Sequence, residues 1–459
     1  MTSASLLLLD RDTLSTVYTF VDVPFALRLT CCTIRDVFPN ETQTLYADVV
    51  SSMPLLTWAL ACGAAKNTGG AALAKASAST GHVDALEHVY MHTNCELKCE
   101  LCESAARGGK LATLQWLHEK NCPWNEDTAI EAARGNHVHI LTFLHSQGCP
   151  ISHHAIDQAA ERGHYACVDW LWNHDVAVYA TTYESAARGG QCSMLIALDH
   201  IYKCPVRTYA ATHAATGGHL DCLEYIVTRG HDWKPRDCIL EAAARGHVAL
   251  IDWMVVEHGC EVDSAVVNLA AEHGHIQVLR LARKLGAYFG ERACKNAAAG
   301  GHLGALKWLR ANGCPWDATV CEMAVSYGDV KMLRWAHANG CNWSEEVCAI
   351  AAEDGDLDTL KWLRANGCPW NGEVMDRAAM WGYEEIMIWA RANGCPWSKT
   401  TTLAAARGNS VNALRWLIQE GCAYDVEDLA RVPAAQEDWR GKPGVRDFVT
   451  QLGMQTPKK

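Results

Sequence analysis

The 459-residue chain has no surplus of basic residues: 40 lysines and arginines face 52 aspartates and glutamates, a formal net charge of −12. A sequence-independent grip on DNA or RNA works by displacing counterions with cations, so nucleic acid is not an expected partner. No apolar run approaches the about 18 residues that a membrane-crossing helix needs, and no membrane partner is expected. Leu6–Leu9 is too short for the core of a secretory leader, and no positive residue precedes it. Glycine-rich phosphate loops, hydrolase nucleophile elbows and protein-kinase motif sets are missing too, so the chain is not expected to be an enzyme and no cofactor is expected. In the absence of a leader, the 22 cysteines read as free thiols of a reducing compartment, which makes a cytoplasmic location the expectation.

What the sequence has is repetition. Ala298–Asp317 reads AAGGHLGALKWLRANGCPWD, and Asp356–Asn371 reads DLDTLKWLRANGCPWN. Aligning on one glycine of each copy gives Gly81, Gly109, Asn136, Gly163, Gly190, Gly218, Gly246, Gly274, Gly301, Gly328, Gly355, Gly382 and Asn409, which are 27 or 28 residues apart. Thirteen units follow, and a worn one precedes them at Met53–Gly63, with Leu56 and Trp58 in the places of Leu306 and Trp308. A fixed period of this length marks a stack of one structural unit, and stacks grow by adding units rather than by splitting cores.

Each unit reads as helix, tight turn, helix, loop. In residues 318–344 the first helix carries Val320, Met323 and Ala324 and the second Val330, Leu333 and Trp335, with the left-handed turn at Gly328 between them. Asparagine at two ladder positions fits, because it tolerates that conformation next best. Leu303, Leu306 and Leu309, with Ala305 and Trp308, give an apolar arc wide enough to pack on more than one side. Alanine pairs such as Ala132–Ala133 and Ala351–Ala352 let neighbouring first helices approach closely.

The letters A-A-x-x-G-H-x-x-x-L-x-x-L followed by G-C or G-A, with a threonine such as Thr319 ahead of Ala324, resemble the ankyrin repeat. The family's repeat has about 33 residues. The residues missing here fall where the family's β-hairpin finger belongs, so the resemblance implies fingers clipped to tight loops. The fold expected is therefore an all-α, ankyrin-type solenoid over 51–424, with a helical module at 1–50 and a C-terminal cap and tail at 425–459.

Residues 1–50 stand outside the ladder. Leu9, Leu14, Val17 and Phe20 form a helical stripe; Asp22 and Pro24 break it, and Ala26, Leu27, Leu29 and Ile34 follow on a second helix. This stretch resembles an F-box, through L-x-x-D-x-L-x-x-V-x-x-F from Leu9 and VDVPFALRLTCCTIR from Val21. It lacks the family's proline after Leu9 and has Ile34 where tryptophan is common. The resemblance implies docking of a Skp-type adaptor of a cullin-RING ubiquitin ligase on Leu9, Leu14, Val17, Phe20, Leu27 and Leu29. The other reading is a plain cap over the open end of the array. An F-box-like start joined to short G-C-P-W repeats looks like ankyrin proteins of large DNA viruses and similar arrays of algae and other protists; a viral chain would act in the host cytoplasm.

The residues that look like chemistry belong to the ladder. Cys95, Cys99 and Cys102, with His92, have metal-ligand spacing, yet Cys95 is the ordinary loop cysteine, 27 residues before Cys122. Cys314, Cys341, Cys368, Cys395 and Cys422 recur every 27 residues, as small buried side chains. His82, His164, His219, His247, His275 and His302 follow the turn and read as turn-capping or inter-repeat hydrogen bonds. Trp124, Trp316, Trp343, Trp370 and Trp397 follow the loop cysteine by two and read as packing between units. No metal site is expected. The function expected is a monomeric adaptor that grips a target protein on its concave, loop-lined side and recruits it to the ligase; the alternative is a scaffold or sequestering effector with no ligase link.

Overall fold

The computed structural model describes residues 46–61, 69–93, 95–432 and 444–455. Among them every regular element is a helix. Thirteen helix pairs run from Gly69–Thr80 with Val83–His92 to Lys399–Arg407 with Val411–Gln419. The first six pairs fall in a compact unit that ends at Lys234, and the other seven in a second that begins at Pro235. Within each unit, first helices pack along their neighbours' first helices over most of their length, while second helices meet more sparsely. The first-helix row is the tighter side because its buried positions are mostly alanine: Ala129, Ala132 and Ala133 in one rung, Ala293, Ala297 and Ala298 in another.

Every position of the glycine ladder has positive φ, from 92° at Gly81 to 61° at Asn136 and 55° at Asn409. The turn is therefore left-handed in all thirteen pairs, and asparagine fills it where glycine does not. The residue just before the ladder position is restricted for a different reason. Gly189 has an ordinary φ of −78°. A Cβ there would lie 1.8 Å from the Glu161 carbonyl oxygen of the preceding pair, so the constraint is space between backbones.

The two helices start by different rules. Some first helices have side-chain caps: Asn125 accepts from the Thr128 amide, and Ser398 from that of Thr400. Second helices begin at the residue after the ladder. There His137, His164 and His275 donate from Nε2 to the Arg107, Arg134 and Ala244 carbonyls, 30 or 31 residues back in the preceding pair, at 3.0 to 3.1 Å. Ser410 does the same to the Met380 carbonyl. Asp329 and Asp356, in the same place, cap their own helices instead. Of the turn histidines expected to bond between repeats, His164 and His275 do so, and His137, outside the expected set, does the same.

The second-helix core is narrower than the leucine spacing implies. Ala305, Leu306 and Leu309 are buried, whereas Leu303 and Trp308 are half-buried. In the next pair Met323 and Trp335 are half-buried too, and Cys321, Val325 and Met332 supply the depth. At 100° per residue a helix this short turns its ends away from the seam. The loops that follow are four to six residues of irregular chain, without strands among the described residues, so the fingers are clipped. Beyond the last pair, Val426–Arg431 packs on Lys399–Arg407 and Val445–Gln455 on Val411–Gln419, covering the end as a further pair would.

Candidate binding surfaces

Leu9, Leu14, Val17, Phe20, Leu27 and Leu29 lie outside the described residues. The candidate surfaces among the described residues belong to the repeats.

Loop thiols close most of the pairs. Cys122, Cys149, Cys204, Cys314, Cys341, Cys368, Cys395 and Cys422 are buried. Cys314 Sγ–H donates to the Gly290 carbonyl at 3.3 Å, Cys341 to Asp317 at 3.2 Å and Cys422 to Ser398 at 3.3 Å. Each acceptor lies 24 residues back, at the start of the first helix, so the thiol ties the free ends of the pair together. A small side chain with one weak donor fits that place. Burial pushes Cys149 and Cys422 up to about 11, and Cys395 up to about 12. Cys102 shares a hydrogen bond with Cys122, which, with burial behind it, pushes the Cys102 thiol well up. Cys102 thus belongs to the core.

In the second unit the loop tryptophans meet the second helix of the following pair edge-on. Trp316 packs on Trp335, Trp343 on Trp362, Trp370 on Trp389 and Trp397 on Trp416, with ring centroids 5.7 to 5.9 Å apart. Cations lid them: the guanidinium carbons of Arg310, Arg364 and Arg391 lie 4.0 to 4.2 Å from the centroids of Trp316, Trp370 and Trp397. Arg310 also donates to the Cys314 carbonyl at 2.6 Å, and Arg364 to that of Cys368. A ring face of each of these three tryptophans, and one donor each of Arg310 and Arg364, are therefore engaged in holding the loop, which agrees with packing between units.

The first-helix row is different. Five residues before each ladder position stand Ala76, Ser104, Glu131, Gln158, Ser185, His213, Glu241, Leu269, Asn296, Met323, Ile350, Arg377 and Ala404. The neighbouring core positions repeat, but this one changes chemistry at almost every rung. Four of its polar residues reach back to the preceding pair: Glu131 to Arg107 at 2.5 Å, Gln158 to Arg134 at 2.8 Å, Asn296 to Glu272 at 3.3 Å, and Arg377 to Glu353 at 2.8 Å; Ser104 instead bonds the Glu100 carbonyl of its own helix. In the first unit this stripe borders an open cleft of about 800 Å³, lined by Arg134, Gln158, Glu161, Arg162, His164 and Gln191. Arg162 is exposed and makes no ion pair with the described residues.

One rung carries a buried polar knot that the repeat does not predict. The Asp199 carboxylate, 8% exposed, accepts from the Tyr225 hydroxyl at 2.8 Å and that of Tyr183 at 3.3 Å, with His231 Nε2 at 3.5 Å and Arg229 Nε at 3.9 Å. Burial, then Asp199 itself, pushes Tyr225 up to about 12. One oxygen of the carboxylate, Oδ2, gathers all four groups, and it joins two neighbouring pairs.

No family model matches this chain, and no curated protein does. Among solved structures, the human ASB11 ankyrin repeat domain is similar at 20% identity, over 35% of this chain and 84% of that one, with a TM-score of 0.30. The maize pentatricopeptide repeat protein PPR10 is similar at 13% identity, over 93% of this chain and 81% of that one, with a TM-score of 0.29. The same maize protein in complex with an 18-nt psaJ RNA element gives 12% identity, 96% and 70% coverage, and a TM-score of 0.31. Scores this low do not tell one helical-repeat geometry from another.

Proposed function

We propose that the chain is a non-catalytic scaffold that binds a protein through its first-helix face, and that residues 1–50 link it to a cullin-RING ubiquitin ligase. The observation that carries the first part is the stripe on the first helices of each unit, where polar and apolar residues vary irregularly on a regular frame; Gln158, His213, Glu241, Leu269, Asn296 and Arg377 are among those half-buried, while Ser104, Glu131, Ser185 and Ala404 are buried. Arrays choose partners with such positions, because changing them leaves the shared core intact. The cleft beside the stripe is open and polar, unlike the enclosed apolar pockets that hold small ligands. The net charge of −12 favours protein over nucleic acid as the ligand.

The ligase link rests on Leu9, Leu14, Val17, Phe20, Leu27 and Leu29 as F-box-like contacts. In this reading the chain does no chemistry; it raises the concentration of a bound target beside a ubiquitin-loaded enzyme. Pull-down of a Skp-type adaptor with the full chain and with its Leu14→Asp/Phe20→Asp variant tests it. Retention by the first and loss by the second is expected. Binding by neither removes the ligase link and leaves a scaffold whose N-terminal helices are a cap.

A further inference from the structure

The fourth helix pair carries a group of side chains that neither the ladder nor the binding stripe uses. His153, His154 and Asp157 open the helix His153–Glu161, and one donor atom of each lies within 4.8 Å of the other two. Spacings of four and three residues put both imidazoles on the helix face that bears the carboxylate. We infer that His153, His154 and Asp157 form a binding site for a late first-row divalent cation, with zinc the fitting example.

Four observations support the site. Asp157 is 5% exposed, and among the described residues no lysine or arginine pairs with it; its one ionic neighbour is His154 Nδ1, 3.8 Å from Oδ2. A buried carboxylate without a fixed cation is costly, and a divalent ion offsets that cost. Its other oxygen, Oδ1, accepts from the Thr182 hydroxyl at 2.5 Å, an outer hydrogen bond of the kind that orients a ligating carboxylate and leaves Oδ2 for the metal. The Ser152 hydroxyl, one residue before His153, is buried with no hydrogen-bond partner; water held by a bound ion could supply one. Finally, His153 borders a cavity of about 380 Å³, with His145, Cys149, His174, Asp175 and Tyr179, which gives an entry path and room for exchangeable ligands. His174 Nδ1 donates to the Trp170 carbonyl at 2.7 Å, so its Nε2 lone pair is left available on the same wall.

The molecule contains its own control. Asp376 occupies the position of Asp157 eight pairs on, and it too accepts from a threonine, Thr401, at 2.5 Å. The carboxylate–threonine bond is thus a device of the repeat. Where His153 and His154 stand, however, that pair has Gly372 and Glu373. The imidazoles, not the carboxylate, distinguish the fourth pair. Two nitrogens and one oxygen with open positions suit zinc, cobalt, nickel or copper, whereas calcium and magnesium prefer oxygen alone.

The test is titration of Co²⁺ and then Zn²⁺ into the reduced full-length chain, followed by visible absorption, calorimetry and melting temperature. One ion per chain is expected, with a ligand-field spectrum lacking the ultraviolet sulfur-to-cobalt charge transfer that the thiols would give. Zinc should raise the melting temperature of the wild type. His154→Ala, at an exposed residue, should weaken binding by about tenfold or more while leaving the metal-free melting temperature unchanged. His153→Ala/His154→Ala should abolish binding, and Asp376→Asn should not affect it. Absence of binding, a thiolate spectrum, or affinity retained by the double variant would overturn the site. None of these outcomes bears on partner capture by the first-helix face.

Discussion

The loop cysteine does two jobs that a serine or an alanine would split. It fills a core position, and its Sγ–H returns to the carbonyl that opens the pair, as Cys149 does to Asn125 at 3.4 Å and Cys422 to Ser398 at 3.3 Å. Neutral thiol is the form the fold holds, and the sign of the pH effect follows. Burial raises the Cys149 and Cys422 thiols above the ordinary value of 9.0, so the contribution of these two is intact below that pH and lost as pH rises through about 11. The urea midpoint should therefore fall as pH is raised over that interval. The fall should be smaller in Cys149→Ala/Cys422→Ala, whose midpoint at neutral pH is already lower. Equal falls in both chains would mean that these thiols titrate as they do when unfolded.

At the scale of the element, the helix pair is built on three or four side chains per helix. Leu306 is fully buried, and Leu306→Ala should cost about 2–5 kcal/mol, the range for a core leucine whose cavity cannot collapse. Lys307 is the next residue and is exposed, with its ammonium 5.8 Å from the Trp335 ring centre. Lys307→Ala should cost no more than about 1 kcal/mol, the usual size of an exposed cation–π contact. Chemical denaturation of the two variants checks the face assignment, and similar losses would refute it. The leucine and glycine spacing made the pair legible from sequence. The spacing did not reveal that Trp308 and Trp335 stop halfway to the core. That depends on the loop aromatic each one meets, Phe289 for Trp308 and Trp316 for Trp335, and on the arginine stacked over it, which a helical wheel does not contain.

For the whole molecule the unit of cooperation is the interface between neighbouring pairs. The C-terminal helices show its reach: Val445 and Val449 are buried, and the Val445 amide donates to Asn409 Oδ1 at 3.0 Å. A chain ending at Val432 should exchange amide hydrogens faster in Lys399–Arg407 and Val411–Gln419. Glu291–Ala299 and Leu303–Ala311, four pairs away, should be unchanged. Hydrogen exchange read by mass spectrometry would show this, and uniform acceleration of all pairs would point to global coupling instead.

Sequence alone determined the repeat, its period, the left-handed turn at each rung and the all-helical class, because these rest on local backbone and periodicity. His153, His154 and Asp157 were equally visible as letters, in H-H-x-x-D, yet nothing local marks that aspartate as buried or without a counter-ion. Burial is set by the next pair, whose Thr182 closes over it. The same holds for Glu131 and Arg107, Gln158 and Arg134, and Asp199 and Tyr225: each partner comes from another rung. The frame lies within one period of sequence. The chemistry on it lies between periods, and only stacking brings those residues together.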